Sequence, residues 1–223
     1  MTAPVLIASS TASIASGAGN LPLVANFPAG CLRDDVLIAR VVVGAVQVPG
    51  TPTTWRAFGS VSTGVVAELT RYKHTVALGE SAATTVSWNV AANHNAIVMI
   101  ECWRNLAENG NPGNNTTTTT ASGTTQNAPA LTVTAGINQV MFADWVSVST
   151  STFSGPPAGF TLNSQFTALG LSVASAAKVL VGIQATSTGL LAITTNNAGV
   201  GVGASYAWPP EYMDWVQPAT LPN

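Results

Sequence analysis

Short apolar runs bounded by Pro, Gly, Asn, Ser and Thr recur along the whole chain, the pattern expected of strands joined by turns. The strong helix formers are scarce, while Thr, Val, Ser and Gly dominate. The runs predict strands at 5–9, 35–43, 55–62, 65–76, 83–88 and 95–104. After a polar break they resume at 130–134, 139–147, 160–166, 169–176, 178–184, 190–194 and 200–208. In the run from Val65 to Val76, Val65, Ala67, Leu69 and Arg71 share one face and Val66, Glu68, Thr70 and Tyr72 the other. Neither face is purely apolar, so the strand is predicted without a buried side. The fold class is all-β.

The break at 107–126 holds no Leu, Ile, Val or aromatic residue and reads as a polar surface connector. A weak repeat spans it. The segment DDVLIARVVV (34–43) sets against NQVMFADWVSV (138–148), and TPTTWRAFGS (51–60) against GPPAGFTLNS (155–164), which places Trp55 opposite Phe160. ELTRYKHTV (68–76) sets against VASAAKVLV (173–181), placing Lys73 opposite Lys178. Two half-repeats, about 30–104 and 130–208, make a single domain over 1–208, followed by a Pro-rich tail at 209–223. Two halves of about four strands predict an antiparallel β-sandwich of about eight core strands, jelly-roll-like.

Of 223 residues only seven are Lys or Arg and nine Asp or Glu, net −2. That 7% stands against about 25% in an average soluble domain. With 47% hydrophobic residues the chain is not disordered, and seven cations do not make a nucleic-acid face. No apolar run approaches the ~20 residues of a membrane span, and no basic segment precedes the N-terminal apolar stretch as in a secretory signal.

Two histidines, His74 and His94, in no metal-binding spacing, leave no expected metal or cofactor. No G-x-S-x-G or other nucleophile motif occurs, and the acids are mostly isolated, so no catalytic residues are expected. The run Gly199-Val200-Gly201-Val202-Gly203 lacks the following helix of a dinucleotide site and reads as glycines that let strands approach closely. Cys31 and Cys102 permit one bridge if they lie within reach; otherwise they are two small buried thiols.

Asp35-Val36-Leu37-Ile38-Ala39, Pro52-Thr53-Thr54-Trp55, Tyr72-Lys73, Gly79-Glu80-Ser81-Ala82, Trp88 and the strand 97–104 together resemble a family of β-sandwich proteins from tailed bacteriophages. In that family a GD-L-[LI]-[IV]-A strand leads to a PPAGWT-L turn, which this chain repeats more faithfully as Gly155-Pro156-Pro157-Ala158-Gly159-Phe160-Thr161-Leu162. The resemblance covers most of 30–208 and implies a non-enzymatic structural subunit on the virion exterior, as capsid decoration, head spike or tail-associated protein. Its partners would be other virion proteins and further copies of itself, with neither nucleic acid nor membrane.

Trp55, Trp88 and Trp145 lie in or beside strand runs and are expected in the core. Trp208, Tyr212 and Trp215, with Val5 and Leu6 in the apolar N-terminal segment, are the candidate subunit contacts. A second reading is a carbohydrate-binding host-surface adhesin, for which Trp103, Asn105, Asn93 and Asn95 are the candidate glycan contacts.

Overall fold

The structure, a computed structural model, describes residues 2–64, 66–107 and 113–209. Beyond Pro209 the Pro-rich tail, with Tyr212 and Trp215, lies outside the described residues. Among the described residues thirteen strands form: β1 (Val5–Ile14), β2 (Leu21–Asn26), β3 (Val36–Val43), β4 (Arg56–Ser62), β5 (Glu68–Thr75), β6 (Thr85–Val90), β7 (Ala96–Arg104), β8 (Gly113–Ala128), β9 (Thr132–Val148), β10 (Phe153–Ser154), β11 (Thr161–Ala168), β12 (Leu171–Ser187) and β13 (Leu191–Trp208). The all-β sandwich stands, with more strands than the eight expected.

All pairing between strands is antiparallel. The first sheet runs β1-β7-β3-β5-β4 and the second β13-β9-β12-β11; β8 pairs along one side of β13, and the short β10 pairs at Thr194–Thr195 on the other side, which β9 takes from Val200 onward. Replacing β1, β7, β3, β5 and β4 by β8, β13, β9, β12 and β11 converts one order into the other, so the two halves share a topology. In the first half β2 and β6 make a separate ribbon. In the second, the corresponding pairing is continuous with the long β8 and β13, which pair at both ends with irregular register between.

The proline turns match across the halves. Trp55 N donates to Pro52 O at 3.1 Å and Phe160 N to Pro157 O at 2.9 Å. The residue before each aromatic has positive φ, 72° at Thr54 and 80° at Gly159. Trp55 and Phe160 then fill corresponding places in the two outer cores.

Register corrects one alignment. Ile38 faces Lys73, and Phe142 faces Ala177, so the structural counterpart of Lys73 is Ala177 rather than Lys178. A one-residue slip puts a side chain on the opposite face. The connector reading is corrected over 113–126, which belongs to β8: an edge strand needs ladder partners more than apolar side chains, and β13 supplies them. β2 and β10 also form where no strand was expected.

The five-stranded sheets stack face to face. β1 and β7 lie over β11, while β4 lies over β8 and β13. The central strands of the first sheet are covered on both sides, which explains why β3 shows no exposed residue and β5 only a half-buried end. Alternate residues Leu37, Ala39, Val41 and Val43 face the β2–β6 ribbon, packing with Trp55, Tyr72 and Trp88. Met141, Ala143 and Trp145 face the outer core of the second half. The remaining residues, Val36, Ile38 and Val42 with Val140, Phe142 and Val146, meet between the sheets.

Candidate functional site

The centre of the inter-sheet face is charged. Along β3 the inward residues run Val36, Ile38, Arg40, Val42, and along β9 they run Val140, Phe142, Asp144, Val146. Arg40 pairs in register with Arg71 and Met99, and Asp144 with Ser175 and Ala204. Arg40 and Asp144 are therefore counterparts in the two halves, and they touch. Arg40 Nε lies 2.5 Å from Asp144 Oδ1, both side chains fully buried. Arg40 Nη1 is 3.0 Å from Glu101 Oε2, and Nη2 donates to Tyr206 Oη at 3.0 Å. Trp103 Nε1 donates to Glu101 Oε2 at 3.0 Å, and Ser175 Oγ reaches the same oxygen at 3.5 Å from the other half. The Arg71 guanidinium lies 4.9 Å from the Tyr206 ring centre and 5.5 Å from that of Phe58.

Two arginines and two carboxylates balance, which burial requires. Burial alone would lower the pKa of Arg40, but the charges of Asp144 and Glu101 hold it above the usual value. Arg71 is pushed down by burial against the opposing charge of Asp144. Burial holds the Tyr206 phenol well above its ordinary value, with Arg40 opposing. This network fastens the halves and offers no opening to a substrate.

An open groove of about 480 Å³ lies beside the 51–55 turn, lined by Phe27, Trp55, Glu80, Thr85, Ser87 and Asn89 among others. His74 is stacked on Trp55 with ring centres 5.2 Å apart. Its Nδ1 faces Thr54 O at 3.1 Å and its Nε2 faces Glu80 Oε2 at 2.8 Å. Both nitrogens are engaged in holding the turn, and neither is presented to the groove. Burial would raise the Glu80 pKa, but the Ala77 N–H and His74 hydrogen bonds hold it below the usual value. Among the described residues no group of three His, Cys, Asp or Glu is placed to hold a metal ion.

The sequence-predicted contacts separate. Trp208 is fully buried between the sheets, where Nε1 donates to Ala107 O at 2.9 Å, so it is not a surface contact. Trp103 is 2% exposed and packs edge-on to Phe142, so it cannot stack on a sugar. Both residues end strands whose inward face meets the opposite sheet, a burial that periodicity within one half does not reveal. Asn105 follows β7 and donates to Ala3 O, whereas Asn93 and Asn95 precede it. The nine residues of β7 put the two asparagine groups about 30 Å apart, so the four candidate glycan contacts form no common site. Asn95 is spent locally, accepting from Ser16 N and donating to Leu169 O.

Val5 is 47% exposed, and Leu6 is half-buried against the inter-sheet cluster. The N-terminal segment is not a loose arm: Val5–Ile14 is the edge strand β1, paired along β7. Sheet edges are the feature that residue-by-residue reading missed. The edge strands β1, β4, β8 and β11 carry one charged residue among them, Arg56. Soluble proteins ordinarily protect such edges with Lys, Pro or inward charges.

Compared with known proteins, the chain matches no family model, no curated protein and no solved structure.

Proposed function

We propose that this protein is a non-enzymatic structural subunit on the exterior of a tailed-phage virion, held there by subunit–subunit contacts. The observation that carries the reading is the set of long, nearly uncharged edge strands on a stiff double-layered body. Edges with free N–H and C=O groups pair with further strands unless charge prevents it. β1 is the foremost of them, ten residues with no charge and with Val5, Ser9, Thr11 and Ser13 exposed. The strand-and-turn motifs at 35–39, 52–55 and 155–162 supply the phage side of the reading. Low net charge leaves such contacts insensitive to ionic strength, and many copies turn weak contacts into firm attachment.

The test places Lys at Ser9 and Thr11, both exposed, and measures mass by light scattering after size exclusion. The wild-type chain is expected to form discrete oligomers and S9K/T11K to be monomeric with an unchanged circular-dichroism spectrum. A wild-type monomer at all concentrations would count against edge-mediated assembly.

The adhesin reading moves to a different place. The groove beside the 51–55 turn is lined by exposed Thr, Ser and Asn side chains, hydrogen-bonding groups suited to sugar hydroxyls, with the buried Trp55 and Phe27 beneath. A glycan array with Asn89→Ala alongside the wild-type chain tests it: a hit lost in the variant supports the groove, and no hits remove the reading.

A further inference from the structure

Cys31 lies in the turn before β3 and Cys102 in the last third of β7, both buried against the same outer core. Asp35 and Arg104 bring them together. Asp35 Oδ2 accepts from Leu32 N at 2.8 Å and from Cys102 Sγ at 3.6 Å, so one oxygen touches both the residue after Cys31 and the other thiol. Arg104, two residues beyond Cys102 on the same face of β7, donates to Gly30 O at 3.1 Å and to both Asp35 oxygens. Cys31 Sγ itself donates to Pro28 O at 2.9 Å, and each thiol lies close enough to the other to shift its pKa.

We infer that Cys31 and Cys102 are an oxidative modification site, a thiol pair that closes to one intramolecular disulfide when the chain leaves a reducing compartment. The two sulfurs divide the chemistry. Cys31 is the more accessible, flanked by exposed Gly30 and Leu32, and its pKa is lowered chiefly by the Cys102 hydrogen bond. It is the attacking thiolate. Cys102 is fully buried, and the Cys31 contact together with burial raises its pKa strongly. It reacts second.

With glutathione disulfide as oxidant, the Cys31 thiolate attacks one sulfur, forms a mixed disulfide and releases a glutathione thiolate. Cys102 then gives its proton to the glutathione thiolate released in the first exchange, attacks Cys31 Sγ and releases the second glutathione. Two protein thiols are oxidised and one glutathione disulfide is reduced to two thiols. The new bond ties the turn before β3 to β7 across a long closed loop, which constrains the unfolded chain. In a virion subunit, made in a reducing cytosol and then released, this would lock the first half after release. The chemistry does not depend on that reading.

The experiment incubates the full chain in glutathione buffers from reducing to oxidising, quenches with an alkylating agent and reads intact mass and peptide maps. The expected product is a monomeric chain lighter by two hydrogens, with a 31–102 cross-linked peptide and Tm raised by about 10 °C over the reduced form. Cys102→Ser is expected to stop at a glutathione adduct on Cys31, while Cys31→Ser stays reduced. Two alkylatable thiols in the oxidising buffer, an intermolecular cross-link, or a disulfide with no rise in Tm would each overturn the inference. Both single variants should keep the reduced wild-type spectrum, which separates loss of the bond from loss of the fold.

Discussion

Replacing Arg40 with Met removes the cation that joins the halves and leaves Asp144 and Glu101 buried against Arg71 alone. Removing one partner of a buried ion pair costs about 3–5 kcal/mol, because the remaining charge has no compensation in a low-dielectric interior. For a chain of this size that is a fall in Tm of roughly 10 °C. The structure also fixes what should restore stability. In Arg40→Met/Asp144→Leu the buried charges are again balanced, Arg71 with Glu101, and the side chains inserted match the flanking Val42, Phe142 and Val146. The wild-type network is not fully satisfied, since Asp144 Oδ2 and Glu101 Oε1 make no hydrogen bond among the described residues. The double variant should therefore lie within about 1 kcal/mol of wild type. The Tyr206 hydroxyl loses its Arg40 donor in both the single and the double variant, so that loss cancels between them. Urea unfolding of wild type, both singles and the double gives the coupling energy, expected to exceed ~2 kcal/mol. A single-variant loss below ~1 kcal/mol, or a double variant as unstable as the two singles added, would refute the view that charge balance governs this interface.

The buried carboxyl of Glu68 has its pKa raised by burial, with the Ser60 hydrogen bond only partly opposing. Its contribution is then favourable at low pH and lost as pH rises through the raised value, so Glu68→Gln should raise Tm at pH 7 and leave it nearly unchanged at pH 4. Asp35 has the opposite sign: burial would raise its pKa, but hydrogen bonds from Arg104 and Leu32 hold it down. Its stabilisation is present above the ordinary carboxylate range and lost as pH falls through the lowered value. Asp35→Asn should flatten the acid limb of the Tm–pH curve. Gly203 faces the Asn127 carbonyl of β8 so closely that a Cβ would overlap it, and a Cβ at Gly201 would meet Gln126 and Val146 O, the latter at 2.7 Å. Gly203→Ala should cost at least about 2 kcal/mol in urea unfolding, whereas Gly189→Ala, in open space, should cost little.

The strands were legible where an apolar run ends in a turn, as at β3, β7 and the matched turns of Trp55 and Phe160. β8 was not, because its Thr, Asn and Gly residues sit at an edge and need only backbone partners from β13. The buried side of β5 was also hidden. Arg71 looks like a surface residue until the second sheet, some hundred residues away in sequence, supplies Asp144 and Tyr206. Trp103 and Trp208 were misplaced for the same reason: each seems to end an exposed strand until the opposite sheet covers it. Arg40 interrupts an apolar run, and its partner in the repeat, Asp144, carries the opposite charge, a signal visible in the alignment of 34–43 with 138–148. Lys178 misled because the turns of Trp55 and Phe160 are shifted by one residue relative to β3 and β9, and carrying that shift on to β5 and β12, which return to the β3/β9 offset, overshoots by one.

Binding of the purified chain to tailed-phage particles lacking it tests the proposed role most directly, read as copies per particle by quantitative mass spectrometry across a concentration series. The account expects saturable binding at a fixed copy number, unaffected by raising salt, and abolished by S9K/T11K. A chain that stays free of the particles at every concentration, or binds without saturating, would contradict it.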